Sequence, residues 1–258
     1  MTSHAAIVLK RDSFMPADES ALDLAVSQYE CDGFAVLHVF TDEQVTLIEQ
    51  FARDWLRRLI REATPSGASV DHLPLETYHE WWQKEGINHS SLFRAANRYV
   101  VPEGALKEAC LNDRIWQFLG RVHKGKLENW ADPGLGWLGF RFVRPGMNDG
   151  YPTSCKAWGA ASRVISCWLP VNGLSSNETI ALVPGSHRKE YERYLPENQK
   201  FTAGEYRLAN APADLAYVRP ELKRGDIVFF HPRTLHTEDV VGSPITRLNL
   251  EYRFNPVD

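Results

Sequence analysis

The spacing of apolar residues changes near the middle of the chain and divides it into two parts. Before residue 138, apolar residues recur every three or four positions, as in amphipathic helices. From Leu138 onward they alternate with other residues, as in strands. Strands are predicted over 138–143, 164–171, 179–183, 226–230 and 246–254. The pattern predicts an α+β fold in which helices pack outside an antiparallel sandwich or barrel.

The first part carries clear helix signals. Thr41 and Gln44 have the spacing of a capping box, and a long apolar stripe from Val45 to Ile60 follows them. A strand is predicted before that box, over 34–40, and residues 1–30 are a lead-in that ends in a helix over 21–28. Short helices are predicted over 78–82, 92–97, 104–109 and 115–119, the last capped by Asn112 or Asp113.

Length and composition favour one large globular domain over residues 1–258, with two small domains as the alternative. A formal net charge of -4 argues against a nucleic-acid partner, and no apolar run approaches the roughly 18 residues of a membrane span. The four cysteines form no Cys-x-x-Cys pair, and the N-terminal apolar run is too short for a secretory signal. We therefore expect reduced thiols and a cytoplasmic location.

One stretch near the C-terminus brings together residues of a binding site. A Gly225-Asp226 turn leads into an apolar strand that ends near His231 and His236. Arg247 stands near the start of the next predicted strand, eleven residues after His236. A histidine at one strand end and a cation on its neighbour suggest a site for a metal and an anion inside a small barrel. The Lys- and Glu-rich insertion over 188–224 has the length of a lid.

Five ordered segments resemble the phytanoyl-CoA dioxygenase family. They are Asp32-Gly33-Phe34-Ala35-Val36-Leu37, Arg141-Phe142-Val143-Arg144-Pro145, Trp168-Leu169-Pro170-Val171-Asn172-Gly173, Val183-Pro184-Gly185-Ser186-His187 and Gly225 through His236 with Arg247. The resemblance covers roughly residues 30 to 255. It implies a double-stranded β-helix (jelly-roll) oxygenase that uses non-haem Fe(II) and 2-oxoglutarate.

The resemblance also assigns roles to three residues. His236 would be an iron ligand, and Arg247 and Trp168 would bind 2-oxoglutarate. An arginine suits the distal carboxylate because its planar guanidinium can grip both oxygens. The alternative for Arg247 is a buried salt bridge with Glu251 or Glu238.

The His-x-Asp part of the expected metal site is missing from the sequence. The family supplies two further ligands as His-x-Asp shortly after the Arg-Pro strand, yet no histidine lies between His123 and His187. One alignment places Thr153 and Cys155 at these positions. Another places Met147 and Asp149 there, which keeps a carboxylate, although Asp149 also suits a turn. Both alternatives predict weakened iron binding, because hydroxyl and thioether groups are poor replacements for imidazole.

Other residues near this segment are candidates for substrate contact or catalysis. Arg141, Thr153 and Trp158 are predicted to touch substrate. Cys155, Lys156 and His236 are predicted to act in catalysis, Cys155 as a thiol whose pKa the neighbouring Lys156 would lower. The alternatives are packing for Cys155 and solvent exposure for Lys156 and Trp158.

The remaining candidates are assigned by position. Arg141 and Arg144 lie three apart and so face opposite sides of a strand, and one of them would point inward. His231 and His187 are predicted to be structural, at a strand end and in a turn.

Two functions follow. The first is an oxygenase that oxidises a small polar metabolite, such as a natural product or a sugar-like compound. The second is an iron-independent enzyme or a small-molecule-binding protein on the same scaffold.

Overall fold

Helices and strands follow one another along the chain in the order that the sequence predicts. The computed structural model describes residues 19–64, 70–89, 91–92, 99–100, 102–123, 126–129, 138–146, 156–158, 164–191, 193–194, 205–208, 215–237 and 242–257. Its α-helices are α1 (Glu19–Asp32), α2 (Asp42–Ala63), α3 (Tyr78–Trp81), α4 (Gly104–Cys110) and α5 (Asp113–Val122). Within the described part of the chain, no helix has the length and apolar character that a membrane crossing requires.

The strands form two antiparallel sheets. The larger has the order β1-β10-β6-β12-β4-β2, with β3 also paired to β12, and the smaller has the order β7-β11-β5-β9-β8. Strands of the larger sheet are β1 (Phe34–His38), β2 (Tyr99–Val100), β3 (Lys126–Asn129), β4 (Leu138–Val143), β6 (Ile165–Pro170), β10 (Asp226–Phe230) and β12 (Arg247–Val257). Strands of the smaller sheet are β5 (Lys156–Trp158), β7 (Ala181–Leu182), β8 (Arg193–Tyr194), β9 (Glu205–Leu208) and β11 (His236–Thr237).

The two faces of the larger sheet have different neighbours. One face packs against the helices and forms the main core, in which Phe118 of α5 stacks on Phe229 of β10 with ring centroids 4.2 Å apart. The other face packs against the smaller sheet, where Trp168 and Phe230 share an apolar cluster with Leu182 of β7. The space between the sheets is therefore bordered by side chains from both.

Local signals explain the helix ends. The Thr41 hydroxyl accepts from the Gln44 backbone N–H at 3.3 Å, and the Gln44 side chain accepts from the Thr41 N–H at 3.0 Å, which confirms the capping box. Asn112 caps α5 by accepting from the Ile115 N–H. The predicted helix over 92–97 lies almost entirely outside the described residues.

Most predicted strands are present with small changes at their ends. The predictions over 138–143 and 226–230 match β4 and β10, and β12 runs three residues beyond the predicted end at 254. The insertion over 188–224 differs from a simple connecting segment. It contributes β8 and β9 to the smaller sheet, and Val218 forms a bridge to Leu182.

The Gly225-Asp226 turn fixes the start of β10. Gly225 has a φ of +92°, and its carbonyl accepts from the N–H groups of Val39 and Phe40 at 3.0 and 3.1 Å. A Cβ at this position would lie 2.5 Å from the Phe40 carbonyl oxygen. The Asp226 carboxylate bonds to His38 Nδ1 and to the Lys223 N–H, both at 2.8 Å. These contacts hold β1 and β10 in register.

Replacing Gly225 with alanine should destabilise the protein strongly. The positive φ costs an L-residue about 1–2 kcal/mol, and the overlap with a backbone oxygen adds about 1–3 kcal/mol. We expect the free energy of unfolding, measured by urea denaturation, to fall by about 2–5 kcal/mol in total. Gly104→Ala is the matched control, because Gly104 has a φ of +54° with no atom within 4 Å of the added Cβ. Equal losses in the two variants would show that the Phe40 contact is unimportant.

Candidate functional site

His236 lies on the smaller sheet with its ring buried. It occupies β11, between Leu182 of β7 and Lys156 of β5, and only 2% of its surface is exposed. Its Nδ1 lies 2.8 Å from the Thr234 carbonyl oxygen. Since a carbonyl only accepts, Nδ1 carries the proton, and the lone pair of the neutral ring is on Nε2. A histidine that ligates a metal is commonly fixed in this way.

The positions predicted for the other metal ligands precede β5 in the sequence. Asp149, Thr153 and Cys155 lie outside the described residues, so both alignments of the missing motif stay predictions. Lys156 is directly opposite His236 in the pairing of β5 with β11, and Trp158 follows on β5. Among the described residues, no three His, Cys, Asp or Glu side chains are grouped so that they could hold a metal ion.

Arg247 is fully buried at the start of β12 and lies over Trp168. Its Cζ is 5.4 Å from the Trp168 ring centroid, and Nη1 donates to the Glu178 carbonyl oxygen at 2.9 Å. Gly173, with a φ of +74°, permits the close approach of Glu178, because a Cβ there would lie 3.0 Å from Glu178 Cβ. The structure thus brings together the two residues predicted to bind 2-oxoglutarate, and their role stays a prediction.

The aromatic ring of Phe230 connects the surroundings of His236 with those of Arg247. Phe230 of β10 lies 4.8 Å, centroid to centroid, from His236. Phe230 and Trp168 belong to the same apolar cluster, and the Arg247 guanidinium lies over the Trp168 ring. His236 from the smaller sheet and Arg247 from the larger one therefore border the same space.

The polar face of β12 is buried in that space. Arg247, Asn249, Glu251 and Arg253 alternate with apolar residues, and each is at most 5% exposed. Glu251 contacts Arg141 at 3.3 Å and Arg253 at 3.6 Å. Arg141 is thus the inward-facing arginine of β4, whereas Arg144 lies over Trp82 at 4.7 Å. Two acids were considered as partners of Arg247. Glu251 lies close to Arg141 and Arg253, and Glu238 lies outside the described residues.

Two polar residues of this face were not predicted. Ser166 and Asn249 are almost fully buried, and their side-chain polar atoms have no hydrogen-bond partner among the described residues. The Trp168 Nε1 likewise has no hydrogen-bond partner among the described residues. Leaving such groups unsatisfied costs about 1–3 kcal/mol each. The alternation of polar residues along β12 is the one sequence signal that marks Asn249, and nothing in the sequence marks Ser166.

His231, five residues before His236, lies next to His187. Their ring centroids are 5.3 Å apart, and His231 Nδ1 accepts from the Arg233 N–H at 3.1 Å. Burial, followed by the charges of His187 and Arg233, lowers the pKa of His231 to about 4. Burial and the neighbouring Arg188 also lower the pKa of His187. Both contacts fit the structural roles predicted for these histidines.

Acid should therefore weaken the fold through His231. Because its pKa is about 4 in the folded protein and 6.5 ordinarily, the unfolded chain takes up a proton first as the pH falls. This contribution to the free energy of unfolding is complete above about pH 6.5 and is lost as the pH falls towards 4. His231→Asn keeps an acceptor but cannot titrate, so urea unfolding between pH 7 and 4.5 should show a shallower loss. An unchanged pH dependence would contradict this assignment.

The sequence comparison identifies one family. Residues 151–238 match the family model described as phytanoyl-CoA dioxygenase (PhyH). The match includes His236 and ends before Arg247. No curated protein sequence matches the chain. The resemblance predicted from the sequence is confirmed.

Solved structures share the fold at low sequence identity. The epimerase SnoN, solved with Fe3+, alpha ketoglutarate and nogalamycin RO, has a TM-score of 0.58 and 16% identity over 93% of this chain and 85% of its own. The carbocyclase SnoK of nogalamycin biosynthesis has a TM-score of 0.53 and 18% identity over 91% and 84%. EctD from S. alaskensis, solved with 2-oxoglutarate and 5-hydroxyectoine, has a TM-score of 0.50 and 14% identity over 97% and 79%. The mixed α/β fold with antiparallel sheets is therefore that of these enzymes.

Proposed function

We propose that this protein is an Fe(II)/2-oxoglutarate-dependent oxygenase with a jelly-roll core, acting on a small polar metabolite such as a natural product or a sugar-like compound. One observation carries the proposal. The guanidinium of Arg247 is fully buried over the face of Trp168, in the space that His236 borders from the opposite sheet.

The surroundings of Arg247 suit a carboxylate. The bond to the Glu178 carbonyl and the stacking on Trp168 hold the guanidinium in one orientation, so less entropy is lost when a carboxylate binds. The Trp168 Nε1–H, which has no acceptor among the described residues, is a further donor for such a group. Arg247 and Trp168 would hold the distal carboxylate of 2-oxoglutarate.

His236 suits the role of a metal ligand. The bond from Nδ1 to the Thr234 carbonyl places a proton on Nδ1, as is common in histidines that ligate a metal through Nε2. Bound iron with 2-oxoglutarate and O₂ would supply the oxidation of a substrate C–H bond. Asp149, or Thr153 and Cys155, are proposed at the remaining positions near the metal, and Arg141 and Trp158 at the substrate.

A second function is supported by the sequence that precedes β5. No histidine lies between His123 and His187, where the family supplies His-x-Asp, so His236 is the one histidine that we assign to the metal. The same scaffold would then serve an iron-independent enzyme, in which His236, Lys156 and Cys155 move protons, or a small-molecule-binding protein. Lys156 lies opposite His236 in the sheet, which fits this role.

Replacing Arg247 tests the carboxylate site. Arg247→Met removes the charge-assisted hydrogen bonds and keeps most of the apolar stem. We expect 2-oxoglutarate affinity, measured by anaerobic calorimetry, to fall by about 100-fold. Arg144→Met is the matched control, because Arg144 is also a buried arginine over a tryptophan but lies outside the space between the sheets. Similar losses in both variants, or no loss in Arg247→Met, would refute the proposed site.

Iron binding separates the two functions. In the oxygenase, the purified protein should bind Fe(II) under anaerobic conditions, and His236→Ala should weaken binding by more than about tenfold. Metal content after gel filtration measures this directly. If the wild type binds no iron while 2-oxoglutarate binding still depends on Arg247, the iron-independent function is correct. If His236→Ala binds iron as the wild type does, His236 is not a ligand.

A further inference from the structure

The turn between β6 and β7 supplies a hydrogen-bond acceptor for the Arg247 guanidinium. Arg247 Nη1 donates to the backbone carbonyl oxygen of Glu178 at 2.9 Å. Every residue type has this carbonyl, so the bond by itself does not require a glutamate at position 178. The glutamate side chain must therefore matter for another reason, which its own contacts indicate.

One carboxylate oxygen of Glu178 closes the turn that carries this carbonyl. Oε2 accepts from the Ser175 backbone N–H at 3.2 Å and from the Ser175 hydroxyl at 2.7 Å. The N–H groups of Glu178 and Thr179 donate to the Ser175 carbonyl at 2.8 and 3.2 Å. The Thr179 N–H belongs to the same planar peptide unit as the Glu178 carbonyl. These bonds to Ser175 therefore fix the direction in which that carbonyl points.

The other carboxylate oxygen ties the turn to the segment that leads into β12. The Ser243 hydroxyl donates to Glu178 Oε1 at 2.9 Å, and its oxygen accepts from the Ile245 N–H at 3.1 Å. Ser243 is buried and lies four residues before Arg247. A single carboxylate thus connects the turn that supplies the acceptor with the segment that precedes the arginine.

The end of the turn nearest β7 is held without Glu178. The Thr179 hydroxyl donates to the Pro220 carbonyl at 2.7 Å, and the Thr179 carbonyl accepts from Arg219 Nη1 at 2.7 Å. Removing the carboxylate would leave these contacts in place. Its loss should therefore loosen the part of the turn that faces Arg247 and leave β7 intact.

We propose that Glu178 is a positioning residue that sets the direction of the Arg247 guanidinium and thereby makes the anion site selective for an oxo-acid of one length. The identity of the anion, a 2-oxo-dicarboxylic acid, rests on the proposed function. A guanidinium binds both oxygens of a carboxylate only in a narrow range of geometries. When it is fixed in place, an acid that is one carbon shorter or longer cannot reach it equally well.

The first test uses the protein without ligand. In NMR spectra of protein labelled with ¹⁵N-arginine, a hydrogen-bonded guanidinium that rotates slowly gives separate Nη–H signals. Those of Arg247 are identified by their loss in Arg247→Met. Glu178→Ala should abolish the separate signals, because the acceptor carbonyl is no longer fixed. Glu178→Gln should keep them, since its amide still accepts from the Ser175 N–H and donates to the Ser243 hydroxyl. Unchanged signals in Glu178→Ala would overturn the proposal.

Asp226→Ala is the matched control for this test. The Asp226 carboxylate also closes a turn, by accepting from the Lys223 N–H at 2.8 Å, and the Asp226 N–H donates to the Lys223 carbonyl at 3.0 Å. The variant should lower the melting temperature, as Glu178→Ala does, and leave the Arg247 signals unchanged. If both variants lose these signals, a general loosening of the fold is the cause, and the proposal is wrong.

The second test measures selectivity by anaerobic calorimetry with oxaloacetate, 2-oxoglutarate and 2-oxoadipate. The wild type should bind 2-oxoglutarate most tightly. Glu178→Ala should lower that affinity by about tenfold, and the affinities for the shorter and longer acids should change by less than about threefold. Glu178→Gln should restore the preference. An equal loss for all three acids would indicate a merely structural residue and would overturn the proposed selectivity.

The two tests separate a failure of this inference from a failure of the proposed function. If the wild type binds none of the three acids, the proposed function and the selectivity are both wrong. The signals of Arg247 in the unliganded protein still decide the positioning role. Their loss in Glu178→Ala alone supports that role, and their retention refutes it.

Discussion

From Arg247 to Phe254, strand β12 has no face in contact with solvent, and the rest of the structure depends on this constraint. Its apolar residues, such as Leu250 and Tyr252, enter the core formed with the helices. Its polar residues enter the space between the sheets and are buried there as well. Because β12 pairs with both β4 and β6, a slip of one residue would put Arg247 and Glu251 into the apolar core. The packing that stabilises the sheet therefore also fixes the position of the candidate site.

The features predicted correctly from the sequence depend on near neighbours along the chain. The capping box at Thr41, the apolar stripe of α2 and the strand after Gly225 each require a few residues at set spacings. The strands that were not predicted, such as β2, β5 and β9, are two to four residues long and exist because of the strands they pair with. So short a strand shows little periodicity in its sequence.

The residues of the candidate site also divide into those that were predicted from the sequence and those that were missed. The family resemblance pointed to Arg247, Trp168 and His236, and the structure buries all three around one space. Asn249 and Ser166 were missed for a physical reason. Polar residues that alternate with apolar ones usually face solvent in an antiparallel sheet. The second sheet, most of whose strands were not predicted, covers that polar face and makes it an interior one.

The two sheets hold different parts of the candidate site. Arg247 and Trp168 lie on the larger sheet, where strand pairing and the helical core hold them. His236 lies on the smaller sheet. Residues 147–155, where the His-x-Asp motif was expected, immediately precede β5 of that sheet. The described contacts that orient the Arg247 guanidinium come instead from Trp168 of β6 and the Glu178 carbonyl oxygen. Arg247 is buried at the start of a strand that pairs with both β4 and β6, so its position depends on the packing of the larger sheet and not on the predicted metal ligands.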